Sequence, residues 1–248
     1  MDKKTAIITG GGSGIGFACL EKFYSHDYRI VVIDYHTEAL GAKLEKAKIS
    51  AGDIHIHQAN VADFNELAEV FNVISDLKAS VLINCAGISP ATKPLHDYDV
   101  AEWKRCVDIN LNGSFYASKL FAQQFLAHKL SSASVINISS IMGKRSSPGH
   151  AVYAATKHAV IGLTKSMAQD YATFNLRVNA IGPGVIETPM TSDWMQDDGF
   201  KNYFLSKIPM QRAGKAKEIA NTAFFLCSDE ASYLTGAYIP VDGGFLAV

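Results

Sequence analysis

The chain is built on a succession of short apolar runs that lack internal polar alternation, and this pattern restricts its fold more than any other feature. Residues 5–9, 29–34, 80–86, 134–138 and 176–181 are such runs, with a weaker one at 54–58 and a short one at 238–241. A strand with one face in water alternates polar and apolar residues, whereas an uninterrupted run is covered on both faces. Helical periodicity fills the intervals, at about 15–26, 37–50, 63–78, 99–111 and 114–130, and in a long segment at 153–167. Strands alternating with helices predict a parallel sheet with helices on both sides, and right-handed crossovers make it a doubly wound open α/β sheet of about seven strands. With 248 residues, no internal repeat and no linker, residues 1–248 are expected to form a single domain.

Composition excludes several functions. Lys plus Arg number 23 against 24 Asp plus Glu, so no broad basic surface for nucleic acid is expected. Cys19, Cys85, Cys106 and Cys227 are scattered without a C-x-x-C, which predicts buried thiols, with neither a disulfide framework nor a metal site. No run of 18 apolar residues is present and the N-terminal residues show no secretory pattern, so no membrane partner is expected and the location is read as cytoplasmic.

The first apolar run ends in Gly10-Gly11-Gly12-Ser13-Gly14-Ile15-Gly16. Glycines between a strand and a helix permit a tight turn and close backbone approach to a pyrophosphate, which the helix N-terminus favours through its free N–H groups and dipole. The spacing is G-x-x-x-G-x-G rather than G-x-G-x-x-G, and no G-K-[ST] follows, so a P-loop is excluded. Asp34 closes the second strand, 18 residues past Gly16. An acid there accepts hydrogen bonds from an adenosine ribose and repels a 2′-phosphate. No basic residue stands in the loop or directly after Asp34, so NAD is expected and NADP disfavoured.

A second constellation spans residues 139–157. Tyr153 and Lys157 are four residues apart, on one face of a helix. A neighbouring ammonium favours a phenolate, so Lys157 is expected to draw Tyr153 down towards neutrality, with Ser140 hydrogen-bonding the reacting oxygen. Alone, Y-x-x-x-K carries little information. His150 precedes Tyr153 by three and is either a substrate-facing or a capping residue. Lys144 and Arg145 are more simply solvated cations than an anion site.

Together these motifs make the chain resemble the classical short-chain dehydrogenases/reductases, single-domain Rossmann-type enzymes, over essentially its whole length. Gly10, Ser13, Gly14, Ile15 and Gly16 match the cofactor loop. Asn60-Val61 matches the pair beside the adenine, with Asn where an acid is commoner, and Asn84-Cys85-Ala86-Gly87 matches Asn-Asn-Ala-Gly with one replacement. Asn110 matches the helical asparagine, while the following Asn112-Gly113 reads as a helix break. Pro183, Gly184, Ile186 and Thr188 match the nicotinamide-carboxamide segment, and Val241-Asp242-Gly243-Gly244 the C-terminal signature. The resemblance implies Tyr153 as general acid/base, Lys157 on the nicotinamide ribose, Ser140 orienting the substrate oxygen, and Asn110 holding a water chain. It also implies a small-molecule alcohol or ketone substrate, a mobile lid at about 188–210, no metal, and a homotetramer. Met190, Trp194, Met195, Phe200, Tyr203 and Phe204 make that lid apolar, which leans to an aliphatic or alicyclic alcohol over a polyol or a 3-hydroxyacyl compound. The alternatives are an NADPH-dependent 3-oxoacyl carrier-protein reductase and a nucleotide-binding regulator without turnover. Loss of the tyrosine, lysine or serine would mark the regulator, and none is lost.

Overall fold

A computed structural model describes residues 3–192, 196 and 198–247. Seven parallel strands form one sheet: β1 (Thr5–Thr9), β2 (Arg29–Asp34), β3 (Ile54–Gln58), β4 (Val81–Asn84), β5 (Ala133–Ile138), β6 (Leu176–Pro183) and, last in the chain, a strand at Tyr238–Val241. A separate two-stranded ribbon pairs β7 (Ile186–Glu187) with β8 (Gly214–Lys215), so the last strand is β9. The order in the large sheet is β3-β2-β1-β4-β5-β6-β9. The chain runs outward from β1 to β3, then crosses back to β4 and proceeds the other way. Direction therefore reverses between β1 and β4, and doubly wound sheets bind their ligands at such a point, beyond the C-terminal strand ends.

The helices are α1 (Gly14–Tyr24), α2 (Leu40–Lys46), α3 (Phe64–Val73), α4 (Val100–Val107), α5 (Gly113–Ala127), α6 (Ala151–Tyr171), α7 (Asp198–Leu205) and α8 (Ala216–Cys227). Two apolar layers enclose the sheet. On one side, α1 and α8 cover Ile8, Val32, Ile83, Ile136 and Ile181; on the other, α3, α5 and α6 cover Ile7, Val31, Leu82, Val135 and Val178. Alternate residues of each strand thus enter opposite layers, which is why the strand sequences show no polar alternation. Phe23 is fully buried and meets Tyr28 and Phe224 edge-on, with centroids 5.1 and 5.2 Å away, tying α1 to α8. Burying a side chain of that size contributes about 1.5–3 kcal/mol.

The structure departs from the sequence reading at three points. Helix α8, with Ile219, Ala220, Ala223 and Leu226 buried, is an element that reading does not include. Asn112-Gly113 does not break a helix: Asp108–Asn112 form a π-helical stretch that joins α4 to α5, and Gly113 keeps helical angles. The segment expected as a helix at 37–50 is helical only over Leu40–Lys46. Among the described residues no helix is long and apolar enough to cross a membrane.

Candidate active site

The site is assembled from the loops leaving the C-terminal strand ends. After β1 the chain turns through Gly14 at φ +51°, in the left-handed region, and enters α1. A Cβ at Gly16 would stand 2.0 Å from the Gly10 carbonyl oxygen, so only glycine lets the first turn of α1 lie against β1. The Asp34 carboxylate accepts the Gly12 N–H (2.8 Å) with one oxygen and the His36 N–H (3.0 Å) with the other, which holds it at the rim of the loop. Lys43, arriving from α2, donates to the Gly12 carbonyl at 2.5 Å. This cation lies nine residues beyond Asp34 in the chain, and spacing alone did not reveal it.

From β4, Cys85 and Ala86 donate their N–H groups to the Thr9 hydroxyl at 3.1 and 3.3 Å, drawing the exits of β1 and β4 together. Asn110, in the π-helical stretch, clasps Ile88 from both sides: its Oδ1 accepts the Ile88 N–H (2.8 Å) and its Nδ2 donates to the Ile88 carbonyl (2.9 Å). From β5, Ser140 caps a short 3₁₀ turn, its Oγ accepting the Met142 N–H at 3.1 Å. Its carbonyl accepts the Tyr238 hydroxyl at 2.8 Å, so β9 supports this loop through a residue with no sequence signal of its own. The neighbouring Ser139 hydroxyl is committed to the Lys157 carbonyl at 2.9 Å, leaving Ser140 as the serine that faces Tyr153.

These loops enclose one cavity of about 850 Å³. Of the residues expected at a cofactor or catalytic site, Gly10, Ser13, Gly14, Ile15, Asp34, Asn60, Val61, Ala86, Gly87, Ser140, Tyr153, Lys157, Pro183, Gly184, Ile186 and Thr188 line it. Three expected residues lie outside its lining. Gly16 packs behind the loop, and Asn110 acts on the wall through Ile88. Asn84 is buried in a polar chain, donating to Ser118 Oγ (2.9 Å) and Asn137 Oδ1 (2.8 Å), with Asn137 in turn donating to Thr164. His150 lines the cavity. Lys144 and Arg145 do not: they lie over the rings of Tyr238 and Phe245. Tyr35, His36, Lys104 and Arg105, which no motif indicated, join the lining. In the expected lid, Met190 and Phe204 line the cavity, whereas Trp194 and Met195 lie outside the described residues, and Tyr203 is exposed.

The electrostatics differ from expectation. Lys157 is buried, its Nζ donating to the Ile138 carbonyl at 2.9 Å and standing 5.6 Å from the centre of the Tyr153 ring. Burial disfavours its charge and pushes the ammonium down to about 8. Burial also pushes the Tyr153 hydroxyl up to about 12, with the Ser140 hydrogen bond pulling the other way. In this geometry desolvation outweighs any help from Lys157, so Tyr153 holds its proton at neutral pH. Such a pair presents a half-buried phenol as proton donor in the same cavity as an amine that titrates near the working range.

The groove suits a dinucleotide. Its glycine cradle admits no Cβ at Gly16, its first wall is a helix N-terminus, and an acid stands at one end with a phenol and an amine in the same cavity.

The sequence model of a family described as enoyl-(acyl carrier protein) reductase matches residues 10–246. A 3-oxoacyl-[acyl-carrier-protein] reductase of Thermotoga maritima is 34% identical over 248 residues, covering 99% of each chain. One of Staphylococcus aureus is 39% identical over 245 residues, covering 97% of each. Among solved structures, 4-hydroxyisoleucine dehydrogenase complexed with NADH superposes with a TM-score of 0.92 at 29% identity, covering 99% of this chain and 100% of that one. A putative gluconate 5-dehydrogenase from Beutenbergia cavernae with bound NADP has a TM-score of 0.91 at 30% identity, covering 99% and 97%.

Proposed function

Since the chain belongs to the classical short-chain dehydrogenase/reductase family and is an oxidoreductase using a nicotinamide dinucleotide, we propose that its cofactor is NAD(H) and that it interconverts a secondary alcohol and a ketone with Tyr153 as acid/base. The observation that carries this reading is the convergence of Ser140, Tyr153 and Lys157 in the cavity that also holds Asp34.

The nicotinamide, when bound, supplies or accepts the hydride at the reacting carbon. The residues of the chain handle the proton and the geometry. In reduction, Tyr153 gives its phenolic proton to the carbonyl oxygen as negative charge develops there, and Ser140 orients that oxygen. Lys157, its Nζ 5.6 Å from the centre of the Tyr153 ring, is assigned the restoring of that proton. In oxidation the same proton travels in reverse, from the alcohol to Tyr153. Pro183, Gly184, Ile186 and Thr188 are proposed to hold the nicotinamide end, Gly10 to Gly14 the pyrophosphate, and Asn60 and Val61 the adenine. Asn110 acts as a positioning residue through Ile88. The segment at about 188–210 is proposed as a lid, and the functional unit as a homotetramer, which light scattering on the purified protein tests. Exposed Trp103, Phe115 and Leu126 along α4 and α5 support an assembly.

Asp34 supports NAD(H), since both its oxygens are fixed by backbone N–H groups where a 2′-phosphate would meet a negative charge. A second reading, an NADPH-dependent 3-oxoacyl carrier-protein reductase, is favoured by Lys43 beside the same loop and by the relatives of that name. Titration with NADH and with NADPH, followed by a nicotinamide-absorbance screen of alcohols and ketones, separates them. Tighter NADH binding with turnover of a secondary alcohol is expected. NADPH preference with turnover of a 3-oxoacyl thioester would establish the second reading instead.

A further inference from the structure

His150 is a polar group in the cavity wall that the proton-transfer chemistry does not use. It stands one turn ahead of Tyr153 at the N-terminus of α6 and is only 9% exposed. Its surroundings fix its tautomer. Nδ1 lies 3.0 Å from the Pro148 carbonyl and 3.0 Å from Ser147 Oγ. A carbonyl can only accept, so Nδ1 bears the hydrogen and, in the neutral ring, Nε2 presents a lone pair. The protein neighbour of that lone pair is the Thr92 hydroxyl, at a long 3.3 Å. The support around the ring is firm. Tyr98 donates its hydroxyl to the carbonyls of Ala91 (2.7 Å) and Gly149 (2.8 Å), and the Lys93 N–H reaches the Gly149 carbonyl at 3.2 Å. The loop carrying Thr92 is therefore fastened to the turn carrying His150.

We propose that His150 is a specificity-determining residue whose Nε2 accepts a hydrogen bond from a second hydroxyl of the substrate, so that the enzyme acts on hydroxyketones and the matching diols or polyols rather than on plain ketones. The inference rests on the alcohol/ketone reading of the same site. His150 is the N-cap of α6 and Tyr153 lies in its first turn, which sets the two about one helical turn, roughly 5–6 Å, apart. A substrate oxygen on Tyr153 and a second on His150 therefore belong to neighbouring or next-neighbouring carbons. A buried acceptor matched to a substrate O–H discriminates, because an analogue lacking the hydroxyl leaves Nε2 with only its long contact to the Thr92 hydroxyl. The apolar groups nearby, Met142 and Phe204, would by themselves favour a plain aliphatic substrate, and His150 reverses that preference.

The test compares matched pairs, butan-2-one against 1-hydroxybutan-2-one and 4-hydroxybutan-2-one, in wild type, His150→Phe and His150→Gln. The quantity read is the ratio of kcat/KM between hydroxylated and plain ketone within each variant, so a loss of folded protein cancels. Wild type is expected to favour one of the hydroxyketones by about 30-fold or more, His150→Phe to bring that ratio to near one, and His150→Gln, which keeps an acceptor, to retain most of it. Should His150→Phe not fold, Thr92→Val decides: with the competing hydroxyl gone, the ratio is expected to hold or rise. A wild-type ratio near one, or a ratio that survives His150→Phe or collapses in Thr92→Val, overturns the assignment and leaves the oxidoreductase reading standing. Absence of turnover of every ketone and alcohol with either cofactor overturns both.

Discussion

Lys157 and Tyr153 show how burial sets the chemistry of single residues. An amine pushed down to about 8 is charged below that pH and neutral above it. Alcohol oxidation needs a group ready to take the proton passed through Tyr153, so its rate is expected to rise with pH through about 8, and ketone reduction to fall over the same range. A pH–rate profile in both directions checks this, and Lys157→Met should remove the inflection; a flat wild-type profile from pH 7 to 9 would contradict it. Asp34 governs cofactor choice at the same scale. Asp34→Ala is expected to lower the NADH over NADPH preference by at least about tenfold, or roughly 1.4 kcal/mol, measured as the ratio of dissociation constants. These residues were legible because their spacing carries meaning: Tyr153 and Lys157 one helical turn apart, Asp34 at a strand end after a glycine turn. The protonation order of the pair was not legible. Spacing reports adjacency along a helix, whereas the shift depends on burial and on where Nζ points, and here it points at the Ile138 carbonyl.

At the scale of elements, the β1–α1 junction constrains the site most tightly. Gly16→Ala places a Cβ against the Gly10 carbonyl, and either the loop or the helix must move. A loss of about 2–4 kcal/mol in denaturant unfolding is expected, with cofactor affinity falling alongside; wild-type stability would show that the junction yields at no cost. The strands were readable in sequence because burial on both faces leaves uninterrupted apolar runs. Helix α8 carries its apolar residues Ile219, Ala220, Ala223 and Leu226 at helical spacing, but nothing in that stripe records that α1 is the element it packs beside. The continuity of α4 and α5 was missed for a related reason. Asn-Gly is a sound turn signal by local propensity, but tertiary packing holds Gly113 helical against Val61, where an added Cβ would lie 2.8 Å from the valine side chain.

Across the whole molecule, the sheet order brings residues more than a hundred positions apart into one cavity. Gly10, Asp34, Ser140 and Thr188 line one cavity because each lies at or just past the C-terminal end of a parallel strand, and the reversal between β1 and β4 opens a groove between their loops. Two apolar layers pack against the sheet that carries these loops, one on each face. Phe23→Ala, at the contact of α1 with α8, is expected to cost about 3–5 kcal/mol and to lower the thermal midpoint, read by calorimetry. An unchanged midpoint would mean that α8 docks without this aromatic contact. The global arrangement was largely predictable from strand and helix alternation. The polar chain through Asn84 and Asn137 was not, because its partners come from four elements and no motif records their meeting.

Turnover by Tyr153→Phe tests the central assignment most directly. The substitution removes one oxygen and leaves the ring, so the cavity keeps its shape. With a substrate that wild type converts, the expected result is a fall in kcat of at least about a thousandfold, with NADH still bound. Turnover within a few-fold of wild type would contradict the assignment of Tyr153 as the acid/base.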